Sequence, residues 1–556
     1  MSAADHPSQR FVGRIAWTAW LAVPLSYAVL AVLSGQDANW DLENYHWYNP
    51  YAFLTGRLAR DLGVANAATF YSPVFDIPIF LAGNVLPARV MGAVLGFIQG
   101  LNFFVLYGLA DHVLRTVDLS WRQDRRRLAA AALALIGMLG GGFLGLVGTT
   151  FNDHVLSLAV LGGGLIIVAH AATLFAPVNT LPTAQEWKPT VSAGLLLGVA
   201  VGLKLPMTIF AVGFCGALLC VGGGLRRRLA LAFVFGLGVV AAFAVIDGPW
   251  MWMLWRDYGN PLFPYFNSLF HSPMALSATY RDDRFIPHGL AAGLAFPITF
   301  SMNPYKAGEY LFRDYRILVT YGVLLATAVI AVVGRLCPSA KGASTSAQAR
   351  YLIAAASITY VAWIFGFAIY RYIVLLEMLT PILLAAAIAS WPLTARARIG
   401  VIAASLALLT VTARRADWGH SPWQEGAFVT ATTPPIAHPD QTMVLVTGYS
   451  PVGWLVPFFP PQIPFIRIHG FLNTPEEGRV GLNAEAARRI DAHQGDFFLL
   501  SPFDELDKSG LALNAYNLRG DFDSCRVVAS NLSNHARWCP VYRIAGPTRV
   551  PPPSKP

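Results

Sequence analysis

The sequence contains repeated apolar runs of about 20 residues, which is the length that an α-helix needs to cross the hydrocarbon core of a bilayer. Only 13% of its 556 residues are charged, against roughly 25% in soluble domains. The net charge of +9 comes from Arg and Lys blocks between the apolar runs, as in cytoplasmic loops that face anionic lipid, which argues against a nucleic-acid partner. The chain is therefore predicted to be a polytopic α-helical membrane protein.

Arg10 and Arg14 precede the first apolar run and place the N-terminus in the cytoplasm. The other basic blocks then give about eleven spans, with the C-terminus outside. The transmembrane domain is predicted over 1–413, with external loops at 34–86 and 247–316 and a half-embedded helix at 74–85. The predicted spans lie near 15–33, 87–114, 128–148, 155–173, 190–224 (two helices), 229–246, 317–335, 351–370, 373–391 and 399–412.

The segment 190–224 is too long for one span, since a single helix would measure about 50 Å against a bilayer core of roughly 30 Å. Lys204 and Pro206 lie in its middle, so we predict two helices that meet at Lys204. An ammonium in an apolar hairpin is costly unless it faces a cavity, and Lys204 is therefore a candidate ligand for a phosphate. The alternative is that it reaches the membrane surface from a helix end.

A water-soluble α/β domain is predicted over 414–556, because short strand patterns alternate there with an amphipathic helix at 483–494. The strands are expected at 442–448, 496–501, 525–530 and directly after Cys539. If this domain lies outside the cytoplasm, Cys525 and Cys539 should form a disulfide. It would close a loop of about 15 residues and contribute roughly 3 kcal/mol.

The stretch from Trp40 to Asp76 follows the first span and is rich in both aromatic and polar residues, as expected at a membrane surface. Asp41 and Glu43 at its head are candidates for a general base, because one ionised carboxylate within hydrogen-bond reach can deprotonate an attacking hydroxyl. Both could instead be solvated loop charges. His46 is interpreted as a hydrogen-bonding surface group rather than a base.

Other polar residues allow a functional and a structural interpretation. Arg371 and Tyr372 form a predicted external hairpin tip that could bind phosphate, although Arg371 could equally pair with Glu377. Asp76 is a second-rank residue for an acceptor or a metal. Asn152 or Asp153 is expected to cap the next helix. Asp76, Asp153 and His154 have no metal-ligand spacing, so the sequence predicts no metal and no other cofactor.

The order of these features resembles the GT-C superfamily of polyprenyl-phosphate-sugar-dependent glycosyltransferases, in particular poorly characterised bacterial membrane proteins that share the patterns NYHxYNxYAxLxGR and NPLFPxFN. The resemblance is carried by DLENYHWYNPYAFLTGRLARD, YSPVFDIP, GTTFND, GLKLP, YGNPLFPYFN and the C-terminal domain. It implies inverting sugar transfer on the periplasmic face of the bacterial inner membrane, with Asp41 at the catalytic acidic position. The D-x-E spacing also resembles protein O-mannosyltransferases, and leaves the choice between Asp41 and Glu43 open.

The leading hypothesis is a membrane glycosyltransferase that moves a sugar from a polyprenyl phosphate to a glycan, lipid or protein acceptor. Nucleotide sugars are not at hand outside the cytoplasm, so a lipid-linked donor is chemically sensible. Two alternatives remain. One is a transporter or flippase of lipid-linked sugar, for which paired broken helices would be expected. The other is a non-catalytic assembly subunit that presents the C-terminal domain.

Overall fold

The computed structural model describes residues 7–117, 122–278, 280–336, 345–532 and 536–544. Its α-helices, in chain order, are α1 (Pro7–Ser34), α2 (Tyr48–Leu54), α3 (Asp76–Gly83), α4 (Ala88–Gly100), α5 (Asn102–Leu114), α6 (Gln123–Gly137), α7 (Gly141–Gly145), α8 (Asp153–Ala169), α9 (Ala171–Leu174), α10 (Ala184–Leu203), α11 (Thr208–Cys220), α12 (Leu225–Ile246), α13 (Gly248–Tyr258), α14 (Asn267–Phe270), α15 (Leu290–Met302), α16 (Arg316–Leu336), α17 (Ala347–Gly366), α18 (Val374–Ile388), α19 (Ala395–Thr412), α20 (Gly481–Ala492) and α21 (Leu506–Asn514). The strands are β1 (Gln36–Asp37), β2 (His420–Ser421), β3 (Ala431–Thr432), β4 (Thr442–Val446), β5 (Phe465–Arg467), β6 (Asp496–Pro502), β7 (Leu518–Gly520), β8 (Arg526–Ser530) and β9 (Ala536–Arg543).

Several of these helices have the length and composition of membrane spans. Within the described ranges, six stretches are long and apolar enough to cross a bilayer: Ala88–Leu114, Leu225–Ile246, Arg316–Leu336, Ala347–Gly366, Tyr370–Ile388 and Ala395–Thr412. Shorter apolar helices lie at Trp20–Ser34, Asp153–Ala169, Leu205–Cys220 and Leu290–Met302. The predicted class, a polytopic helical membrane protein with a C-terminal α/β domain, is confirmed.

Contacts divide the chain into two compact units. Unit 1 comprises Met1–Gln36, Gly92–Pro249 and Asp282–His420, and unit 2 comprises Asp37–Met91, Trp250–Arg281 and Ser421–Pro556. The sequence had grouped both external loops with the membrane helices. Most of their residues instead belong by their contacts to the unit that contains the C-terminal sheet.

Helix α18 is the centre of unit 1, since every one of its residues is buried. A helix that is apolar on all sides is expected to be enclosed by others, and α18 packs against α5, α6, α8, α16, α17 and α19. Its one charged residue, Glu377, is fully buried. It accepts hydrogen bonds from the backbone N–H groups of Gly142 and Phe143 at 3.0 and 2.9 Å, and from the Tyr370 hydroxyl at 2.7 Å.

The predicted third span was wrong in its second half, and the contacts of Glu377 explain why. The expected helix at 128–148 ends at Gly137, and the short helix α7 begins at Gly141. The glycine run allows the backbone to turn there, and the carboxylate of Glu377 satisfies the first N–H groups of the new helix, which have no intrahelical acceptor. Sequence reasoning also missed α15, an apolar helix of 13 residues within the predicted external segment 247–316.

Unit 2 is built on a mixed sheet with the strand order β3-β8-β9-β6-β4-β5, and β7 also pairs with β9. Strands β5, β4 and β6 are parallel, while β9 runs antiparallel to β6, β7 and β8. Leu62 from the first loop forms a parallel bridge with Ile466 of β5. The apolar core beneath the sheet takes side chains from all three segments of the unit, among them Phe70, Trp250 and Leu499.

The predicted strands and helix of the C-terminal region are confirmed, with some differences. The short strands β2, β3, β5 and β7 and the helix α21 were not predicted, and β9 begins at Ala536. Cys539 therefore lies within β9 rather than before a strand. The predicted disulfide between Cys525 and Cys539 is present.

Candidate active site

The first group of candidate residues is the turn that carries the two candidate carboxylates in unit 2. Leu42–His46 forms a π-helical turn, a rare geometry that is frequent at functional sites. Glu43 within this turn is only 1% exposed. Asp41 precedes the turn and is half-buried, and the Tyr45 hydroxyl donates to its Oδ2 atom at 3.4 Å. The two carboxylates therefore differ, because only Asp41 is partly open to solvent.

His46 and Asp76 form a buried pair on the same unit. The His46 Nδ1 atom lies 2.7 Å from Asp76 Oδ1, and both side chains are almost completely enclosed. The interpretation of His46 as a surface group is wrong, because its ring is buried and packs 4.2 Å from the Tyr45 ring. The pair joins the turn to the start of α3, so it can hold the carboxylate-bearing turn in place.

A second buried pair anchors this loop to the sheet. Arg57 binds both carboxylate oxygens of Asp61, at 2.9 and 2.8 Å, and the Tyr48 hydroxyl donates to Asp61 at 3.0 Å. Asp61 also accepts the N–H of Phe465 in β5. Burial raises the pKa of Asp61, against the opposing effect of the Arg57 guanidinium. Sequence reasoning missed this anchor, although a spacing of four residues between opposite charges was a signal.

Arg467 makes the corresponding contacts from the sheet. Its buried guanidinium donates to the carbonyl groups of Gly63, Val64, Gly448 and His469. Three of these bonds are 3.1 Å or shorter. The loop that bears Asp41 is thus an ordered part of unit 2.

A separate group of candidate residues lies in unit 1, where the helix breaks at Lys204 as predicted. Lys204 has extended backbone between α10 and a short 3-10 turn, with φ −154° and ψ 108°. Its ammonium lies 2.7 Å from Asp153 Oδ1, and its side chain is 11% exposed. It also lies 4.9 Å from the centroid of the Tyr372 ring.

Arg371 meets the same aromatic ring. Its guanidinium lies 5.5 Å from the centroid of Tyr372 and 4.0 Å from that of Phe151. The alternative of a structural pair with Glu377 is wrong, since Glu377 binds the start of α7 and Tyr370. Unit 1 therefore brings the two predicted phosphate ligands into contact with the ring of one tyrosine.

The residues at the start of α8 lie close to both predicted and unpredicted partners. Asn152 occupies the N-cap position, as predicted, but its side chain makes no capping hydrogen bond. Asp153 instead holds Lys204. His154 is fully buried and its ring stacks on Phe143 at 3.9 Å. Within the described residues, neither ring nitrogen of His154 has a hydrogen-bond partner, which suits a packing role.

A metal site is not apparent from the described residues, where no group of three or more His, Cys, Asp or Glu side chains could hold an ion. Asp76 is paired with His46, and Asp153 with Lys204.

The chain was compared with protein-family models, curated protein sequences and solved structures. No protein-family model and no curated protein sequence matches the chain. A solved structure, the crystal structure of ArnT from Cupriavidus metallidurans bound to undecaprenyl phosphate, is similar with 14% sequence identity and a TM-score of 0.45. The similarity covers 96% of this chain and 99% of that chain.

Proposed function

We propose that this protein is a membrane glycosyltransferase that takes a sugar from a polyprenyl-phosphate donor and places it on a glycan, lipid or protein acceptor. The observation that carries the proposal is a pair of cations, Lys204 and Arg371, that both contact the Tyr372 ring. Lys204 lies at a helix break inside an apolar helical unit. Both cations are half-buried, and ionisable residues within membrane-spanning helices mark functional sites by default. A lipid-linked phosphate supplies both an anion for this pair and an apolar tail for the surrounding helices.

Each candidate residue then has a defined role. The hydroxyl oxygen of the acceptor attacks the anomeric carbon, while the bond from that carbon to the phosphate oxygen breaks. The polyprenyl phosphate leaves with the electron pair, and Lys204 and Arg371 stabilise the charge that develops on it. The proton of the hydroxyl passes to Asp41, and the configuration at the anomeric carbon is inverted.

Asp41 is assigned as the base because it is half-buried, whereas Glu43 is enclosed in the π-helical turn. Asp153 positions Lys204, and the His46–Asp76 pair positions the turn. We place the protein in the bacterial inner membrane, with unit 2 on the periplasmic side.

The phosphate assignment is tested by measuring the binding of undecaprenyl phosphate to the protein in nanodiscs. We expect Arg371→Gln and Lys204→Gln each to weaken binding about tenfold or more, since a hydrogen bond to a charged group contributes about 1.5–3 kcal/mol. Arg335→Gln, at the exposed end of α16, is the control and should bind normally. Thermal unfolding in the same nanodiscs checks that each variant is folded.

Unchanged binding by both Arg371→Gln and Lys204→Gln would show that the phosphate lies elsewhere. A transporter of lipid-linked sugar would also need these cations, but it would not release free undecaprenyl phosphate from an undecaprenyl-phosphate sugar. Measuring that release separates the two functions.

A further inference from the structure

Three aromatic side chains of unit 2 form a continuous row, in which two rings are exposed and the third, Tyr449, is half-buried. The Trp40 and Phe471 ring centroids are 6.4 Å apart, and those of Phe471 and Tyr449 are 4.9 Å apart. Phe471 is 61% exposed and Trp40 is 36% exposed. Adjacent aromatic rings left open to solvent mark binding surfaces more often than single exposed apolar residues do. We call Trp40, Phe471 and Tyr449 the aromatic row.

The aromatic row lies at the edge of the sheet where ligands bind in open α/β folds. Tyr449 follows the carboxyl end of β4, and Phe471 follows that of β5. The chain leaves β4 toward β5 on one side, while β6 pairs with β4 on its other side. In open α/β folds, ligands bind at a reversal of this kind, beyond the carboxyl ends of the parallel strands.

Charged groups border the aromatic row and fix the ring of Tyr449 at one end of it. Glu505, after β6, accepts the N–H groups of Tyr449 and Ser450, each at 2.9 Å. Lys508 lies 3.4 Å from Glu505, and its ammonium is 4.9 Å from the centroid of the Tyr449 ring. The other side of Tyr449 packs against His469, with the centroids 4.9 Å apart. Tyr449 is therefore held in one orientation beside an accessible cation.

This combination fits a sugar ring better than it fits a lipid surface. A pyranose has an apolar face of C–H groups that covers an aromatic ring, and hydroxyl groups around its edge that need donors and acceptors. Lys508, with a half-exposed side chain, supplies a donor at that edge. A segment that inserts into a bilayer would have to bury the charge of Lys508, whose side chain is 44% exposed, and this is costly.

The sequence places the aromatic row next to the proposed base, since Trp40 directly precedes Asp41. We propose that the aromatic row binds a sugar ring of the acceptor, so that the acceptor is a glycan whose hydroxyl is presented to Asp41. This inference rests on the proposed function and narrows its acceptor from three classes to one.

The test measures the binding of a panel of soluble oligosaccharides, released from lipopolysaccharide core and from peptidoglycan, to the full-length protein in nanodiscs. We expect at least one to bind, and Phe471→Ala and Tyr449→Ala each to weaken that binding about tenfold, as truncation of a central aromatic contact does. Tyr542→Ala is the control, because Tyr542 is 58% exposed and lies near the opposite end of the sheet in β9. Asp41→Asn should bind the oligosaccharide normally.

In a transfer assay with that oligosaccharide, Phe471→Ala should raise the KM for the acceptor and leave kcat nearly unchanged, since it removes binding that is common to ground and transition states. Equal binding by the wild type, Phe471→Ala and Tyr449→Ala, or no binding of any oligosaccharide by a protein that still binds undecaprenyl phosphate, would overturn the inference and leave the proposed function intact. If the wild-type protein released no undecaprenyl phosphate from undecaprenyl-phosphate sugars, this result would instead contradict the proposed function.

A membrane role for the aromatic row gives a different result. Brominated lipids in the nanodisc would then quench the part of the tryptophan fluorescence that Trp40→Phe removes. We expect no such quenching, and its observation would contradict the glycan assignment.

Discussion

Glu505 shows how one buried carboxylate can order a loop of the proposed acceptor site. Its two hydrogen bonds from backbone N–H groups, with the nearby Lys508 ammonium, outweigh the effect of burial and lower the pKa of Glu505. A carboxyl group whose pKa is lower in the folded protein stabilises the fold above its unfolded pKa, which is about 4.3. That stabilisation is lost as the pH falls through the folded value.

We therefore expect Glu505→Gln to lower the free energy of unfolding at pH 7 by about 1–3 kcal/mol, because the two N–H groups donate to different carboxylate oxygens and glutamine retains only one acceptor oxygen. The difference from the wild type should shrink as the pH falls below about 4. Thermal unfolding of the detergent-solubilised protein between pH 3 and 7 measures both effects. Glu476→Gln, at an exposed glutamate of the same unit, is the control. A constant difference across this range would contradict the role of the charge.

Single residues also show where sequence reasoning stopped. The sequence identified Lys204 as a candidate phosphate ligand, because a cation within an apolar membrane segment is costly unless it faces a cavity or reaches the membrane surface. It could not pair His46 with Asp76, which are 30 residues apart, since nothing in a loop sequence tells which polar side chains meet. The role of Arg467 was also missed. Its partners are backbone carbonyl groups, which every residue has, so the sequence does not indicate which of them it contacts.

At the scale of elements, the contact between α10 and α12 depends on a row of glycines. A Cβ atom at Gly194 or Gly198 would lie 2.2 Å from the Phe235 carbonyl oxygen or 2.3 Å from that of Val239. The third glycine of the row, Gly202, faces Ile246. Small residues at a spacing of four allow membrane helices to approach this closely.

Gly198→Ala should therefore force the two helices apart and lower the free energy of unfolding by about 1–3 kcal/mol. Gly236→Ala on α12 is the matched control, because a Cβ atom there would have no neighbour within 4 Å. We expect this control to unfold at or slightly above the temperature of the wild type. Thermal unfolding in detergent compares the two. Equal melting temperatures for both variants would show that α10 and α12 are not held by this contact.

The spans of the helical unit were largely predictable, because a bilayer requires long apolar helices and the basic blocks delimit them. The break after Gly137 was not, since it depends on Glu377, more than 200 residues away in the chain. Strand β5 was missed because it has only three residues, too few to show an alternating pattern. Its partner at Leu62 lies in a loop that the sequence assigned to the membrane region.

At the scale of the whole molecule, the basic blocks predict that the C-terminal domain and the first turn of α12, which contains Arg226–Arg228, lie on opposite sides of the membrane. Leu511→Cys and Leu225→Cys test this in a background without free cysteines, because both leucines are highly exposed, at 68% and 67%. A membrane-impermeant maleimide applied to intact spheroplasts should label only Leu511→Cys. Labelling of Leu225→Cys alone would reverse the predicted orientation.

The residues with a proposed role in the reaction are divided between the two units. The carboxylate-bearing turn, the aromatic row and the C-terminal sheet belong to one unit, and the two cations on Tyr372 belong to the other. In the proposed function, unit 1 binds the phosphate of the donor and unit 2 provides the base and the acceptor surface. Donor binding and proton abstraction should therefore be separable by mutation.

The most direct measurement is the release of free undecaprenyl phosphate from undecaprenyl-phosphate sugars by the protein in nanodiscs. The tested sugars are glucose, mannose and arabinose, and a bacterial membrane extract supplies the acceptor. We predict that Asp41→Asn lowers this release by a factor of about 10² to 10⁴, as expected for loss of a general base, and that it still binds undecaprenyl phosphate with the wild-type affinity. Glu43→Gln should retain more activity than Asp41→Asn. Wild-type release by a correctly folded Asp41→Asn protein would contradict the central claim.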